Sequence, residues 1–209
     1  MVQISPVVKN LIIVNVIVFL LLFIPFTSWL QFFFILGKSN ALGFREAGAF
    51  FPFQPYQIVT SFFAHTAIFH LLFNMLALYS IGVPVEMALG SKRFLKFYLF
   101  CGVVAALVLA FLDPQDNPVI GASTAISGIL AAYGIMFPTS RISFFFLPPI
   151  EAKTLFIGAA VISAILALLQ IAGEGMVEMS NVSHFGHLAG MLAGVLFFYL
   201  EKYIPFLRN

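Results

Sequence analysis

Ser123 stands where a turn-forming segment gives way to an apolar run, and its neighbours are small residues, Gly121-Ala122-Ser123-Thr124-Ala125. A serine in this position has two interpretations. Small residues let membrane helices approach closely, and the hydroxyl then bonds back to its own helix. Alternatively, the serine is a nucleophile at a helix N-terminus, where outward-pointing N–H groups stabilise a developing negative charge. Taken alone, such a serine is more often a packing residue, so the choice between the two interpretations depends on the other polar residues in the chain.

Five further polar residues stand near the starts of two other apolar runs: His65, His70, Asn74, His184 and His187. His70 and Asn74 are four residues apart, which places them on one helix face. All three runs are predicted to cross from the outer side inward, with a rise of about 1.5 Å per residue. We therefore expect Ser123, His187, His70 and Asn74 to meet at one depth in the outer part of a helix bundle.

This set of residue types suits acyl transfer. Serine is a weak nucleophile until a base takes its proton, and histidine is the usual base near neutral pH. We expect Ser123 to be the nucleophile and His187 the base. The side chains of Asn74 and His70, with the N–H of Ser123, are the expected oxyanion donors. Since no Asp or Glu stands near enough in sequence to complete a triad, we expect a dyad, and this chemistry requires no cofactor.

A metal site is the main rival for these residues, because four histidines together would bind a metal ion. They have no Cys or carboxylate companion, and the chain contains no H-E-x-x-H. Asp113 and Asp116, the only Asp residues, both belong to a loop, which argues against an aspartyl protease. We therefore expect no metal. His65 is expected to be structural, whereas His184 is either a cavity-lining or a loop-bonding residue.

The elements that must position these residues are membrane helices. The chain of 209 residues is 62% hydrophobic and only 9% charged, a composition that makes lipid its solvent. A spanning helix needs about 20 mainly apolar residues. Six stretches qualify: 8–26, 66–85, 94–112, 119–137, 150–171 and 184–202. We predict an all-α membrane protein with a single domain over 1–209. The apolar connection 27–65 is expected to lie in the membrane interface.

The orientation follows from the basic residues, most of which fall on the side that holds both termini: Lys9, Lys92, Arg93, Lys96, Arg141, Lys153, Lys202 and Arg208. Lys38 and Arg45 fall on the other side. This bias predicts cytoplasmic termini. The net charge of +2 reflects this anchoring and gives no reason to expect nucleic acid binding. The compact form without a transit peptide favours a bacterial inner membrane.

Four motifs, in the same order along the chain, resemble those of the rhomboid intramembrane serine proteases: His65, His70 and Asn74 in AHTAIFHLLFN; Glu86, Gly90 and Tyr98 in EMALGSKRFLKFY; Gly121 and Ser123 in GAS; and His187, Gly190 and Gly194 in GHLAGMLAG. Each motif is weak alone, but together they extend from about residue 55 to residue 195. Six helices resemble the basic bacterial form of the family.

The resemblance implies roles for these positions. It makes Ser123 the nucleophile and His187 the base, with an oxyanion hole formed by His70, Asn74 and the Ser123 amide. It implies structural roles near the site for a further set: His65, Gly121, Glu86, Gly190 and Gly194. Glu86 is expected to bind loop or helix-end amides. The two glycines are expected to let the sixth helix pack tightly on the fourth.

This chain departs from the family pattern at several positions. Thr124 follows the nucleophile where the family usually has Gly, and Gly186 precedes His187 where it has Ala. Ser127 stands one turn after the nucleophile, where an aromatic residue often stacks on the histidine. Tyr56-Gln57 stands where the first loop often carries Trp-Arg.

The function implied is cleavage of transmembrane segments of other membrane proteins near the outer face, at sites where the substrate helix is destabilised. The fifth helix, with Pro148-Pro149 at its start, and the loop 172–183 are the expected gate. Two alternatives remain. One is a catalytically weak or inactive relative that binds transmembrane segments. The other is a transporter or channel, for which the apolar inner halves of the spans offer no visible pathway. The sequence does not determine the oligomeric state or the natural substrate.

Overall fold

The computed structural model describes residues 5–24, 31–34, 43–46, 49–112, 121–143, 148–172 and 183–208. Within these ranges the α-helices are α1 (Pro6–Leu22), α2 (Gln31–Phe34), α3 (Gln57–Thr60), α4 (Ile68–Ala77), α5 (Val83–Leu89), α6 (Ser91–Leu112), α7 (Ser123–Met136), α8 (Ala152–Ala172), α9 (His184–Leu200) and α10 (Pro205–Arg208). Two short hairpins pair β1 (Gly43–Glu46) with β2 (Ala49–Pro52) and β3 (Arg141–Ile142) with β4 (Ile150–Glu151).

Each predicted span coincides with an apolar helix. The continuous helical run Ile68–Leu89 and helices α6 and α8 have 21 or 22 residues, long enough to cross a bilayer. Helices α1, α7 and α9 are shorter, with 17, 14 and 17 residues. The predicted all-α membrane bundle is confirmed, while the count of six crossings stays a prediction. The α7 helix begins at Ser123 and not at residue 119, so the nucleophile candidate is the first helical residue.

The run Ile68–Leu89 contains one π-turn, Leu78–Gly82, between α4 and α5. Pro84 stands two residues after the end of this turn and accounts for it. A proline inside a helix removes the bond to the carbonyl four residues earlier and clashes with that carbonyl, here that of Ser80. A π-turn widens the backbone at this point and lets the helix continue. The polar positions of α4 and the Glu86 position of α5 therefore do not follow one regular α-helical register.

Glu86 connects α5 to the first helix. Its carboxylate, 1% exposed, accepts hydrogen bonds from the backbone N–H groups of Val7 (3.0 Å) and Val8 (2.8 Å). The Ser91 hydroxyl donates a third bond at 2.6 Å. The first N–H groups of a helix have no partner within it, and a negative charge there also interacts favourably with the helix dipole. Glu86 thus caps α1, in agreement with the expectation that it binds helix-end amides.

The core of the bundle is formed by α6, α7 and α9, and α9 packs most extensively on α7. Buried small residues line this contact: Ala125, Gly128, Ala132, Ala189, Ala193 and Gly194. Phe97 of α6 and Phe197 of α9 form an edge-to-face contact between those two helices, with ring centroids 5.1 Å apart. Small residues let the helix backbones approach closely. Such close packing holds membrane helices together, because in lipid the hydrophobic effect contributes little to their association.

The apolar connection 27–65 is described only in part. It contains α2, the β1–β2 hairpin, α3 and the 3₁₀ turn Ser61–Phe63. The hairpin was not predicted; Pro52 stands at its end, where a proline is tolerated because it need not donate to the ladder. Tyr56 stacks on Phe33 with ring centroids 5.8 Å apart. Other predictions fall on residues outside the described ranges: Lys38, Asp113, Asp116 and most of the gate loop, 173–182.

Candidate active site

Ser123 is placed by an unusual backbone turn. Gly121 has φ +119°, a conformation that residues with a side chain rarely adopt. Its N–H donates to the carbonyl of Ser61 at 2.9 Å, which ties the start of α7 to the 3₁₀ turn before α4. Ser123 then begins the helix, so its own N–H has no partner within α7. The side chain of Ser123 is half-buried.

His187 lies in the first turn of α9, and this turn is capped by Ser183. The Ser183 hydroxyl accepts a bond from the N–H of Gly186 at 3.1 Å, and the N–H of His187 donates to the Ser183 carbonyl at 3.0 Å. Such a cap stabilises the helix start and holds its first residues in place. The Nε2 atom of His187 lies 2.9 Å from the Oγ atom of Ser123. This is the hydrogen-bond distance that a general base needs to take a proton.

Glycines explain why the two helices lie so close. A Cβ added to Gly190 would lie 2.0 Å from the carbonyl oxygen of Thr124, and one added to Gly194 would lie 2.6 Å from that of Gly128. Gly128 in turn lies against Cys101, since a Cβ there would be 2.5 Å from the Cys101 sulfur. The role of Gly128 was missed in the sequence. Its spacing of four from Thr124, which mirrors the spacing of the two α9 glycines, is the signal that could have found it.

His70 and Asn74 share one face of α4, as their spacing predicts. The side-chain amide of Asn74 is buried and donates one bond, at 2.8 Å, to the carbonyl of His70. The ring of His70 lies beside the turn that leads to Ser123. A Cβ on Gly121 would be only 2.9 Å from both Cε1 and Nε2 of that ring. The absence of a side chain at Gly121 is therefore what makes room for His70 next to the serine.

The two remaining histidines each pair with a site residue. His65 is 3% exposed, and its ring lies edge-on to that of His70 with centroids 4.8 Å apart. Burial, and next the proximity of His70, lower the pKa of His65 to about 4, so it is neutral at physiological pH. His184 is half-buried, 6.2 Å from His187 between ring centroids. Within the described ranges no three His, Cys, Asp or Glu side chains form a metal-binding group.

The departures from the family pattern have local partners. Ser127 donates its hydroxyl to the carbonyl of Ser123 at 2.9 Å, a bond within its own helix. Thr124 is 5% exposed, so its side chain points into the helix contact and not into the site opening. Among the described residues the structure shows no carboxylate contact to His187. The roles of these site residues stay predictions.

Comparisons with known proteins agree with this architecture. A family described as Rhomboid domain matches residues 52–203, which includes every site residue discussed above. The chain is 32% identical over 163 residues to rhomboid protease GluP of Bacillus subtilis, a match that covers 76% of this chain and 29% of that protein. It is 34% identical over 156 residues to rhomboid-like protease 3 of Toxoplasma gondii, covering 74% and 54% respectively.

A third relative is rhomboid-like protein 11, chloroplastic, of Arabidopsis thaliana, 32% identical over 154 residues that cover 72% of this chain and 54% of that protein. The chain thus spans about a third to a half of the length of these relatives. The family match nevertheless covers most of the chain, and all three relatives exceed 30% identity over more than two thirds of it. This multi-pass membrane protein with apolar helices therefore belongs to the rhomboid family.

Proposed function

We propose that this protein is an intramembrane serine endopeptidase in which Ser123 and His187 form the catalytic dyad. The single observation that supports this most strongly is the 2.9 Å separation between Ser123 Oγ and His187 Nε2. A neutral imidazole accepts a proton from a hydroxyl at this distance, and a serine becomes nucleophilic only when its proton is taken. Both side chains are half-buried, so neither is closed off completely from a substrate.

In the proposed reaction, Ser123 Oγ attacks the carbonyl carbon of the scissile bond while His187 Nε2 takes the hydroxyl proton. The imidazolium then gives this proton to the departing amine, which leaves an acyl ester on Ser123. A water molecule attacks the ester while His187 accepts one of its protons. Proton return to Ser123 Oγ releases the new carboxyl end and restores the dyad.

The oxyanion of each tetrahedral intermediate needs fixed donors. The N–H of Ser123 is available because α7 begins at this residue. Asn74 uses one amide hydrogen on the His70 carbonyl, which holds the side chain in place and leaves the second hydrogen free for a substrate. The His70 ring, seated against Gly121, supports a third donor close to the serine.

The length of α7 supports cleavage inside the membrane. Fourteen residues at about 1.5 Å each span roughly 21 Å, whereas the hydrocarbon core is about 30 Å thick. If α7 reaches the inner surface, Ser123 lies below the outer one. A substrate helix hides its peptide carbonyls in its own hydrogen bonds, so it must unwind before Ser123 can attack. The proposed substrates are therefore transmembrane segments with small or helix-breaking residues near the cut.

The packing of α8 supports its proposed role as part of the gate. Of its 21 residues only Ala152, Ser163, Ala167 and Gln170 are buried. Helix α8 contacts α7 and α9 much less than those two contact each other. A loosely packed helix separates from its neighbours at lower cost, which suits lateral entry of a substrate. The basic residues at the proposed inner ends favour cytoplasmic termini. The proposed location in a bacterial inner membrane rests on the compact six-helix form.

Two measurements with purified protein in detergent test the proposal. The first is labelling by a serine-directed fluorophosphonate probe, and the second is cleavage of a generic transmembrane substrate. Wild type should label and cleave, whereas Ser123→Ala and His187→Ala should lose both activities by at least about 10³-fold. Ser127→Ala is the matched control, because it removes a hydroxyl one turn away on the same helix and should leave both activities nearly unchanged.

If folded wild-type protein neither labels nor cleaves, the proposal is wrong and the alternative of a rhomboid relative that only binds transmembrane segments is favoured. Labelling that persists in Ser123→Ala but disappears in Ser127→Ala would show that the nucleophile is Ser127 and not Ser123.

A further inference from the structure

Thr124 and Gly186 face each other across the contact between α7 and α9, directly beside the dyad. Thr124 follows Ser123 in the chain, and Gly186 precedes His187. A Cβ added to Gly186 would lie 3.1 Å from the Cγ2 methyl group of Thr124, closer than such contacts normally are. The methyl group of Thr124 therefore occupies space that a side chain at position 186 would need.

Two other atoms border the same space, but they differ in their ability to move. The Cδ1 atom of Leu109, 2.8 Å away, is the end of a flexible side chain. The Ser183 hydroxyl, 3.0 Å away, is held by the cap bond to the Gly186 N–H. Thr124, like Ser183, has little freedom to move. It is 5% exposed, and a β-branched side chain in a helix has few χ1 rotamers available.

The backbone of Thr124 is also confined. Its carbonyl oxygen is the atom that lies closest to Gly190, one turn further along α9 than Gly186. The side chain of Thr124 thus contacts α9 at one glycine and its backbone contacts α9 at the next. Any push on the methyl group is transmitted to the separation of the two helices and not absorbed by a movement of Thr124 alone.

We propose that Thr124 is a positioning residue, and that its methyl group is matched to the missing side chain of Gly186 to set the spacing of α7 and α9 at the dyad. The proposal rests on the proposed function of Ser123 and His187. Proton transfer requires a heavy-atom separation of about 2.6–3.2 Å, so a displacement of α9 by a few tenths of an ångström already weakens it. Position 124 and position 186 are therefore expected to tolerate change only together.

A double-mutant cycle tests this pairing, with the rate constant for fluorophosphonate labelling of Ser123 in folded protein as the readout. Thr124→Ser removes only the methyl group and leaves a gap opposite Gly186, so it should lower the rate by about threefold to tenfold. Gly186→Ala should lower the rate by about tenfold or more. The combination Thr124→Ser with Gly186→Ala should recover to within about threefold of wild type, because the new methyl group occupies the vacated space.

A control cycle uses Gly190→Ala, whose obstacle is the backbone carbonyl of Thr124, an atom that no substitution at position 124 removes. Thr124→Ser should not rescue this variant. Rescue of both alanine variants would show a general effect of Thr124→Ser and would overturn the pairing. If Gly186→Ala does not fold, folding and labelling of the double variant support the pairing, whereas a double variant that also fails to fold overturns it.

The outcomes separate this inference from the proposed function. If wild type is not labelled at Ser123, the proposed function fails, and the pairing fails with it as a device for positioning the dyad. If wild type is labelled and Gly186→Ala is labelled at the same rate, the dyad stands and the pairing alone is wrong. A double variant that is as slow as Gly186→Ala also contradicts the pairing.

Discussion

Gly190 lies so close to the carbonyl oxygen of Thr124 that a Cβ there would be 2.0 Å from it. Helix α9, which carries the candidate base, is thus in backbone contact with α7, which carries the candidate nucleophile. The contact lies about one turn of α9 from His187. Neither partner can retreat, because the obstacle is main chain and not the end of a flexible side chain. This contact brings the polar first turns of α7 and α9 within reach of each other.

Gly190→Ala is therefore expected to destabilise the folded protein by about 3 kcal/mol, since overpacking at a backbone contact forces the helices apart. The free energy of unfolding in detergent measures this. Gly158→Ala is the matched control, as Gly158 also lies within a helix but has no atom within 4 Å of its missing Cβ. It should leave stability unchanged or slightly raised. Equal losses for the two variants would mean that the close contact is not what limits position 190.

Gly121→Ala is expected to impair the site for two reasons. The alanine must adopt φ +119°, and its Cβ would press on the His70 ring at 2.9 Å. We expect labelling of Ser123 in folded protein to slow by about tenfold or more. Gly90→Ala is the control for backbone strain alone, because Gly90 also has a positive φ, +80°, but nothing lies within 4 Å of its missing Cβ. It should lower stability by about 1–2 kcal/mol but not the labelling rate. Similar rates for both variants would argue against a role of His70 near the serine.

Glu86→Gln is expected to lower the free energy of unfolding by about 3 kcal/mol. The amide has one acceptor where the carboxylate has two, so the bonds from Val7 and Val8 cannot both persist, and each bond to a charged group contributes about 1.5–3 kcal/mol. Labelling of the folded fraction should change little, because Glu86 lies beyond the π-turn from His70. Glu201→Gln breaks the partly exposed ion pair with Arg93 and should cost at most about 1 kcal/mol. A larger loss for Glu201→Gln than for Glu86→Gln would contradict this ranking.

Acid should destabilise the protein through His65. The pKa of this group falls from 6.5 to about 4 on folding because its ring is buried. Between these values the unfolded chain binds more protons than the folded one, so the stability contributed by neutral His65 is fully present above pH 6.5 and is lost as the pH falls toward 4. The effect is up to about 3 kcal/mol. Unfolding measured from pH 7.5 to pH 4 should show a shallower pH dependence in His65→Gln; parallel curves would show that His65 is not the group responsible.

Much of this protein can be predicted from local pattern. The apolar runs predict the helices, because lipid tolerates no unpaired backbone. The spacing of His70 and Asn74 puts them on one helix face, since helix geometry alone decides which residues four apart share a face. The position of Ser123 after a turn predicts a helix start, although the true start lies four residues later than the apolar run suggests. The residues that could form a dyad can be identified from the same local patterns of apolar runs, turns and spacing.

Only the tertiary structure decided how these faces meet. The separation of Ser123 from His187 depends on glycine contacts between α7 and α9, and the capping of α1 by Glu86 joins residues about 80 positions apart in the chain. Residue spacing carries no information about such distances, because they result from packing between helices and not from the geometry within one. The match between Thr124 and Gly186 is of this kind: in the sequence they are two separate departures from a family pattern, and in the folded protein they occupy one space.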